Sequence, residues 1–194
     1  NSMIAKIGTI SANGDTEIGS VLARAIGHVG REGVVKIEDG KGIETDLIVH
    51  DGMSFDCGYV SPYFVTDNEN MSVELENAYI LLHDKTISTL DSIIPALRAF
   101  SKSKHSILVI AENIEGEALS TLVVNKLESE LKTVAVKSPG FGQWKKPMLE
   151  DIAIVTGGQI ITEELGNTLE NLRPDSLGSA KKGQVTRDHT AIFG

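Results

Sequence analysis

The chain of 194 residues has a single cysteine, Cys57, which excludes an internal disulfide and is compatible with a reducing compartment. Aromatic residues make up only 5% of it, so a core drawn from its 41% of hydrophobic residues must be mainly aliphatic. Basic residues are outnumbered, 18 Lys and Arg against 27 Asp and Glu. The resulting net charge of −9 argues against nucleic acid and anionic membrane surfaces as partners, because both need basic patches. No apolar run approaches ~18 residues, so no segment reads as a membrane-spanning helix. The histidines His28, His50, His83, His105 and His189 stand singly, without metal-ligand spacing, and read as surface or turn residues. Neither G-x-x-x-x-G-K-[ST] nor G-x-G-x-x-G occurs. Glu112, Glu115 and Glu117 cluster where the dipole of a following helix accounts for them, and Ser61 has no evident base, so no catalytic constellation is expected. No targeting segment is legible at the start, and Asn1-Ser2-Met3 reads as a cloning scar ahead of an excised fragment.

What is present is organised in two parts. Asn13-Gly14-Asp15 supplies a turn and an N-cap, after which Ile18, Val21, Leu22, Ala25, Ile26 and Val29 recur at helical spacing up to Gly30. A short strand is expected at Val34 to Ile37, then a turn at Asp39-Gly40-Lys41-Gly42 and an extended stretch at Leu47 to Val49. Residues 1–51 thus read as a small α+β piece. From about Val73, strands fit Tyr79–Leu82, Ile107–Ala111, Thr133–Val136 and Gln159–Ile161. Helices fit Ser92–Lys102, Gly116–Lys132 and Pro147–Val155, with further short helical segments at Glu163–Leu172 and Leu177–Lys181. Such alternation predicts an α/β fold with a largely parallel sheet flanked by helices. Pro95 is expected in the first turn of its helix, where no donor is needed.

The segment Gly116 to Leu131 is the most informative. At ~100° per residue, Ala118, Leu119, Leu122, Val123, Val124, Leu127 and Leu131 sweep roughly 240° of the circumference. A surface helix normally needs a stripe nearer ~100–140° wide. Either the helix is wedged between two packed layers, or one flank is an apolar binding surface. Three aromatics, Tyr59, Tyr63 and Phe64, fall close together around Pro62, as a recognition loop or as a plug beneath one. Ile93, Ile94, Leu97 and Phe100 form another apolar helical stripe. The loop Lys137-Ser138-Pro139-Gly140-Phe141-Gly142 follows a strand end and leads into a helix, a place where a phosphate could sit, although a structural turn explains it more simply.

Four stretches, Gly8 to Asn13, Asp56 to Phe64, Gly116 to Asn125 and Ala135 to Gly142, closely resemble the group I chaperonins, the GroEL-type and mitochondrial heat-shock proteins. The resemblance runs in order through essentially the whole chain. It implies that residues 52–193 form an apical, polypeptide-binding domain and residues 1–51 part of an intermediate domain. It further implies that the fragment is not itself an enzyme and holds no cofactor or metal. ATP and magnesium would belong to an equatorial domain of the full-length protein, a homo-oligomeric double ring. The implied partners are unfolded polypeptides and a GroES-type co-chaperonin. Both would bind an apolar groove of Tyr59, Tyr63, Phe64, Ile94, Leu97, Leu119, Val123 and Val124, with hinges at Gly52 and Gly194. The wording of residues 11–19 and of Ile94-Pro95-Ala96-Leu97 leans toward the mitochondrial matrix, with bacterial cytoplasm and plastid as the other settings. Cys57 stands where relatives usually carry an arginine of an inter-subunit ion pair, and Arg98 replaces a usually acidic residue. Trp144 has no counterpart with a known role. The alternative is a nucleotide- or metabolite-binding α/β domain using the Gly140–Gly142 loop; a third, structural, account buries the apolar helices permanently between subunits.

Overall fold

The computed structural model describes residues 2–30, 35, 37, 45–47, 49, 52–100, 105–128, 132–163 and 166–194. The chain divides into two compact units, Asn1–Asp51 and Gly52–Gly194.

In the first unit, helix α1 (Ser2–Ser11) and helix α2 (Thr16–Val29) pack as a hairpin. Ser2 and Met3, read as part of a cloning scar, lie in the first turn of α1. Asp15 caps α2 through its Oδ1, which accepts from the Glu17 and Ile18 N–H groups at 2.9 and 3.1 Å, satisfying two orphan donors. The helices approach closely at Gly8 and Gly19; a Cβ on Gly19 would collide with the Ala5 carbonyl and Thr9. Val34 and Lys36 of the strand expected at 34–37, the turn at 39–42, part of the stretch at 47–49 and His50 lie outside the described residues, as does Leu131 in the second unit.

The second unit is built on one mixed sheet. Its strands are β1 (Gly52–Phe55), β2 (Val73–His83), β4 (Ile107–Ala111), β6 (Thr133–Lys137), β7 (Ile160–Ile161), β8 (Gly178–Val185) and β9 (Thr190–Phe193), ordered β1-β9-β8-β2-β4-β6 with β7 also on β2. A two-stranded parallel annex joins β3 (Thr86–Ile87) to β5 (Asn113–Ile114). The pairs β2–β4, β4–β6 and β2–β7 are parallel, whereas β1–β9, β9–β8 and β8–β2 are antiparallel. The expected largely parallel sheet is therefore only half the story. Of Leu177–Lys181, expected to be helical, all but Leu177 open β8, where pairing with β2 overrides local propensity.

Helix α3 (Leu90–Phe100) lies on the path from β2 to β4, and α4 (Gly116–Glu128) on that from β4 to β6. Both crossovers step the same way, so the right-handed rule places both helices on one face, and they pack side by side. The helix α5 (Lys145–Thr156) leads back from β6 to β7 and packs on β1, β2, β7 and β8. It ends at Gly157, whose φ of 69° is the left-handed cap that stops a helix. Pro95 lies inside α3, five residues after its start, not in the first turn as expected. Lacking an N–H, it cannot bond the Asp91 carbonyl. Packing by α4 and by the short turn Leu169–Asn171 accompanies that loss. The core is aliphatic: Leu75, Ile80, Leu81, Leu82, Ile93, Leu108, Ile110, Leu122 and Val134 are fully buried.

Candidate functional site

The α3–α4 face owes its character to a division of labour within α4. Ala118 and Leu122 are fully buried against the sheet, and Leu119 and Val123 are half-buried beside them. Val124 and Leu127 keep 46% and 63% of their surface in water. The helix's polar groups are satisfied locally, since Ser120 donates to the Gly116 carbonyl, Thr121 to Glu117 and Asn125 to Thr121. α4 is thus a surface helix whose apolar arc is wider than its core contact, not a rod wedged between layers. In α3, Ile93 is fully buried while Ile94 and Leu97 are half-buried, with Leu97 packed on the core and Leu90 exposed one turn before Ile94.

The aromatic segment divides in the same way. Ser61 caps a single 3-10 turn, Pro62–Phe64, by accepting from the Tyr63 N–H at 3.4 Å, with Pro62 at a position that needs no donor. Neighbouring residues on so tight a turn point to different sides. Phe64 is therefore fully buried while Tyr63 remains 67% exposed. The assignment of Phe64 to a contact surface is corrected: it is the plug that holds the turn. The turn packs on α4, and the Lys126 ammonium donates to the Val65 carbonyl at 3.1 Å across that joint. Tyr59 is half-buried and paired by its backbone with Val136 of β6, and the Val60 N–H donates to the Ala135 carbonyl at 2.9 Å. This covers the edge of β6.

Of the eight expected site residues, Ile94, Leu97, Leu119, Val123 and Val124 thus share the adjacent helices, and Tyr63 borders α4 from its turn. Leu127 and Leu90 were not assigned to the groove. The signal for Leu127 was its place three residues after Val124 and four after Val123 on the same helical face. Gly52, expected as a hinge, opens β1 opposite Phe193, and a Cβ there would overlap the Ile192 carbonyl. Close backbone approach explains that glycine. Gly194 directly follows Phe193, the partner of Gly52, so both glycines lie at the same end of the β1–β9 ladder.

The Gly140–Gly142 loop has a conformational explanation of its own. Gly140 has a φ of 86°, and a Cβ there would crowd the Trp144 carbonyl and Met148 sulfur. Lys145, the first residue of α5, pairs with Glu112 at 2.5 Å. Phe141 and Trp144 are exposed, as are Ile154 and Val155 near the end of α5. Burial and the neighbouring Asp56 push the Cys57 thiol above its ordinary range, with Lys137 opposing in part, which favours the protonated thiol over the thiolate. His83 is buried rather than on the surface, its Nδ1–H donating to the Ile161 carbonyl at 2.7 Å. Among the described residues, no cluster of three His, Cys, Asp or Glu side chains is placed to hold a metal, and no helix is long and apolar enough to cross a membrane. No protein-family model matches the chain.

Proposed function

We propose that this chain is a polypeptide-binding fragment of a group I chaperonin, in which residues 52–193 serve as the apical domain and residues 1–51 as part of the intermediate domain. The observation that carries the proposal is the leftover apolar surface on α4 and its border: Val124, Leu127 and Tyr63 exposed where polar residues would suit a monomer's surface better. Burial of such surface is non-directional, at ~25 cal/mol per Å², so it suits capture of many unrelated unfolded chains. Two adjacent helices offer the shallow channel that helical or extended apolar segments use. The mobile loop of a GroES-type co-chaperonin would compete for the same face. Gly52 and Gly194, adjacent at one end of the β1–β9 ladder, are where a full-length subunit would pivot. ATP and magnesium would bind outside this chain, and the mitochondrial matrix is the favoured setting.

Tyr63→Glu tests it. A charge at this position must be desolvated on ligand docking, so capture of a reduced and alkylated, permanently unfolded model protein should fall about tenfold or more. ATP should show no saturable binding to the same sample. Undiminished capture by Tyr63→Glu, or saturable ATP binding lost on Phe141→Ala, would favour the nucleotide-binding alternative or remove the turn from the site.

A further inference from the structure

Past β7, which pairs with the end of β2, the chain reaches the turn Leu169–Asn171, which packs against α3. Backbone pairing of β7 with β2 covers only Leu82 with Ile160 and His83 with Ile161. Side chains continue it in the same register. The His83 Nδ1–H donates to the Ile161 carbonyl, the Thr162 hydroxyl to Asp84 Oδ2 and the Lys85 ammonium to Glu163 Oε2, each at 2.7 Å. Three consecutive residues of one strand end grip three consecutive residues of the other. The inner rungs are shielded: His83 and Thr162 are buried, and the second oxygen of Asp84, Oδ1, is buried without a hydrogen-bond partner. Beyond the rungs the chain turns at once, with the Gly166 N–H donating to the Glu163 carbonyl at 3.0 Å and the Asn167 N–H to the Thr162 carbonyl at 3.2 Å. Buried Leu169 follows and sits in the turn that packs on α3.

We infer that this ladder is a latch that sets the position of α3. α3 lacks one internal hydrogen bond at Pro95 and packs on both α4 and the latched turn. Thr162 and Asp84 are positioning residues: they touch no ligand but fix the spacing between Leu97 on α3 and Val123 and Val124 on α4. The consequence for binding rests on the proposed function, whereas the mechanical coupling does not.

Hydrogen exchange on the whole chain, read by mass spectrometry, separates the two. Thr162→Val keeps the shape but removes the hydroxyl that donates to Asp84 Oδ2, leaving the half-buried carboxylate with only the longer 3.8 Å contact from His83 Nδ1 to its Oδ1. Amides of 166–172 and of α3 should exchange about tenfold faster or more, as expected for losing a hydrogen bond to a charged group. Those of α4 and β4 should not change, and Thr162→Ser should restore the original rates. Capture of the unfolded model protein should weaken in Thr162→Val and recover in Thr162→Ser. Faster exchange in 166–172 with α3 unchanged overturns the latch, as does no change in either. Should Thr162→Val not fold, Lys85→Ala removes only the exposed rung and should speed exchange at 166–172 and in α3 about twofold; an unchanged rate overturns the coupling. If the unmutated chain captures no unfolded protein, the proposed function fails while the exchange result still decides the latch.

Discussion

Leu127→Ser, set against Leu122→Ala, measures how α4 divides its apolar residues between core and surface. The two side chains lie on one helix five residues apart, one 63% exposed and the other fully buried. Full burial of a leucine is worth roughly 1.5–3 kcal/mol, so the part of Leu127 still in water can contribute about 1–2 kcal/mol when a ligand covers it. At ~1.4 kcal/mol per factor of ten, Leu127→Ser should weaken capture of an unfolded model protein roughly 5–30-fold. Its effect on folding should stay within about 0.5 kcal/mol, the usual range for surface changes. Leu122→Ala should do the reverse: it opens a cavity under α4 and costs roughly 2–5 kcal/mol of stability. Fluorescence anisotropy with the labelled unfolded protein gives the first quantity, and urea unfolding the second. Leu127→Ser binding within twofold of the original would refute the surface assignment. A stability loss in Leu127→Ser as large as in Leu122→Ala would show that both residues are core, and the docking face would lose its physical basis.

Phe64→Ala should destabilise the second unit by roughly 3–5 kcal/mol, because it empties the plug beneath the Pro62–Phe64 turn, and urea unfolding checks this; a change below about 1 kcal/mol would return Phe64 to the surface. Alkylation of Cys57 should lag behind that of a free thiol at every pH between 7 and 9, because burial and Asp56 disfavour the thiolate. The same raised value has a consequence for folding: the unfolded chain releases this proton first, so stability should decline as pH rises through the unfolded thiol's range and level off above the folded one. Rates of iodoacetamide modification matching a free cysteine would contradict the assigned environment.

Strong periodic signals read locally were reliable guides. The strand Ile107–Ala111, a fully apolar run, the strand Thr133–Lys137 around its apolar Val134-Ala135-Val136, and the helix opening at Gly116 follow from patterns that need no partner to be recognised. So does the Asp15 cap, whose bonds span only two and three residues. β8 was illegible because its buried positions are Gly178, Ala180, Gly183 and Val185, so small side chains hide the alternation and Lys181-Lys182 mimics an exposed helix. Its state is decided by the ladder to β2, a pairing about a hundred residues apart in sequence.

The site shows the same boundary between what composition and order determine and what the assembled fold decides. The sequence alone established that α4 carries more apolar residues than one core contact requires, since helical geometry turns spacing into an arc. It also placed three aromatics within six residues of one another. Which of them is available was settled only by the tertiary structure. Tyr63 and Phe64 are adjacent and chemically alike, yet the turn around Pro62, packed on α4, aims one into the core and leaves the other in water. The latch at β2 and β7 lies wholly on that second side of the boundary. His83, Asp84 and Lys85 meet Ile161, Thr162 and Glu163 because a parallel crossover returns the chain to the same strand end, and no local pattern encodes so distant a register.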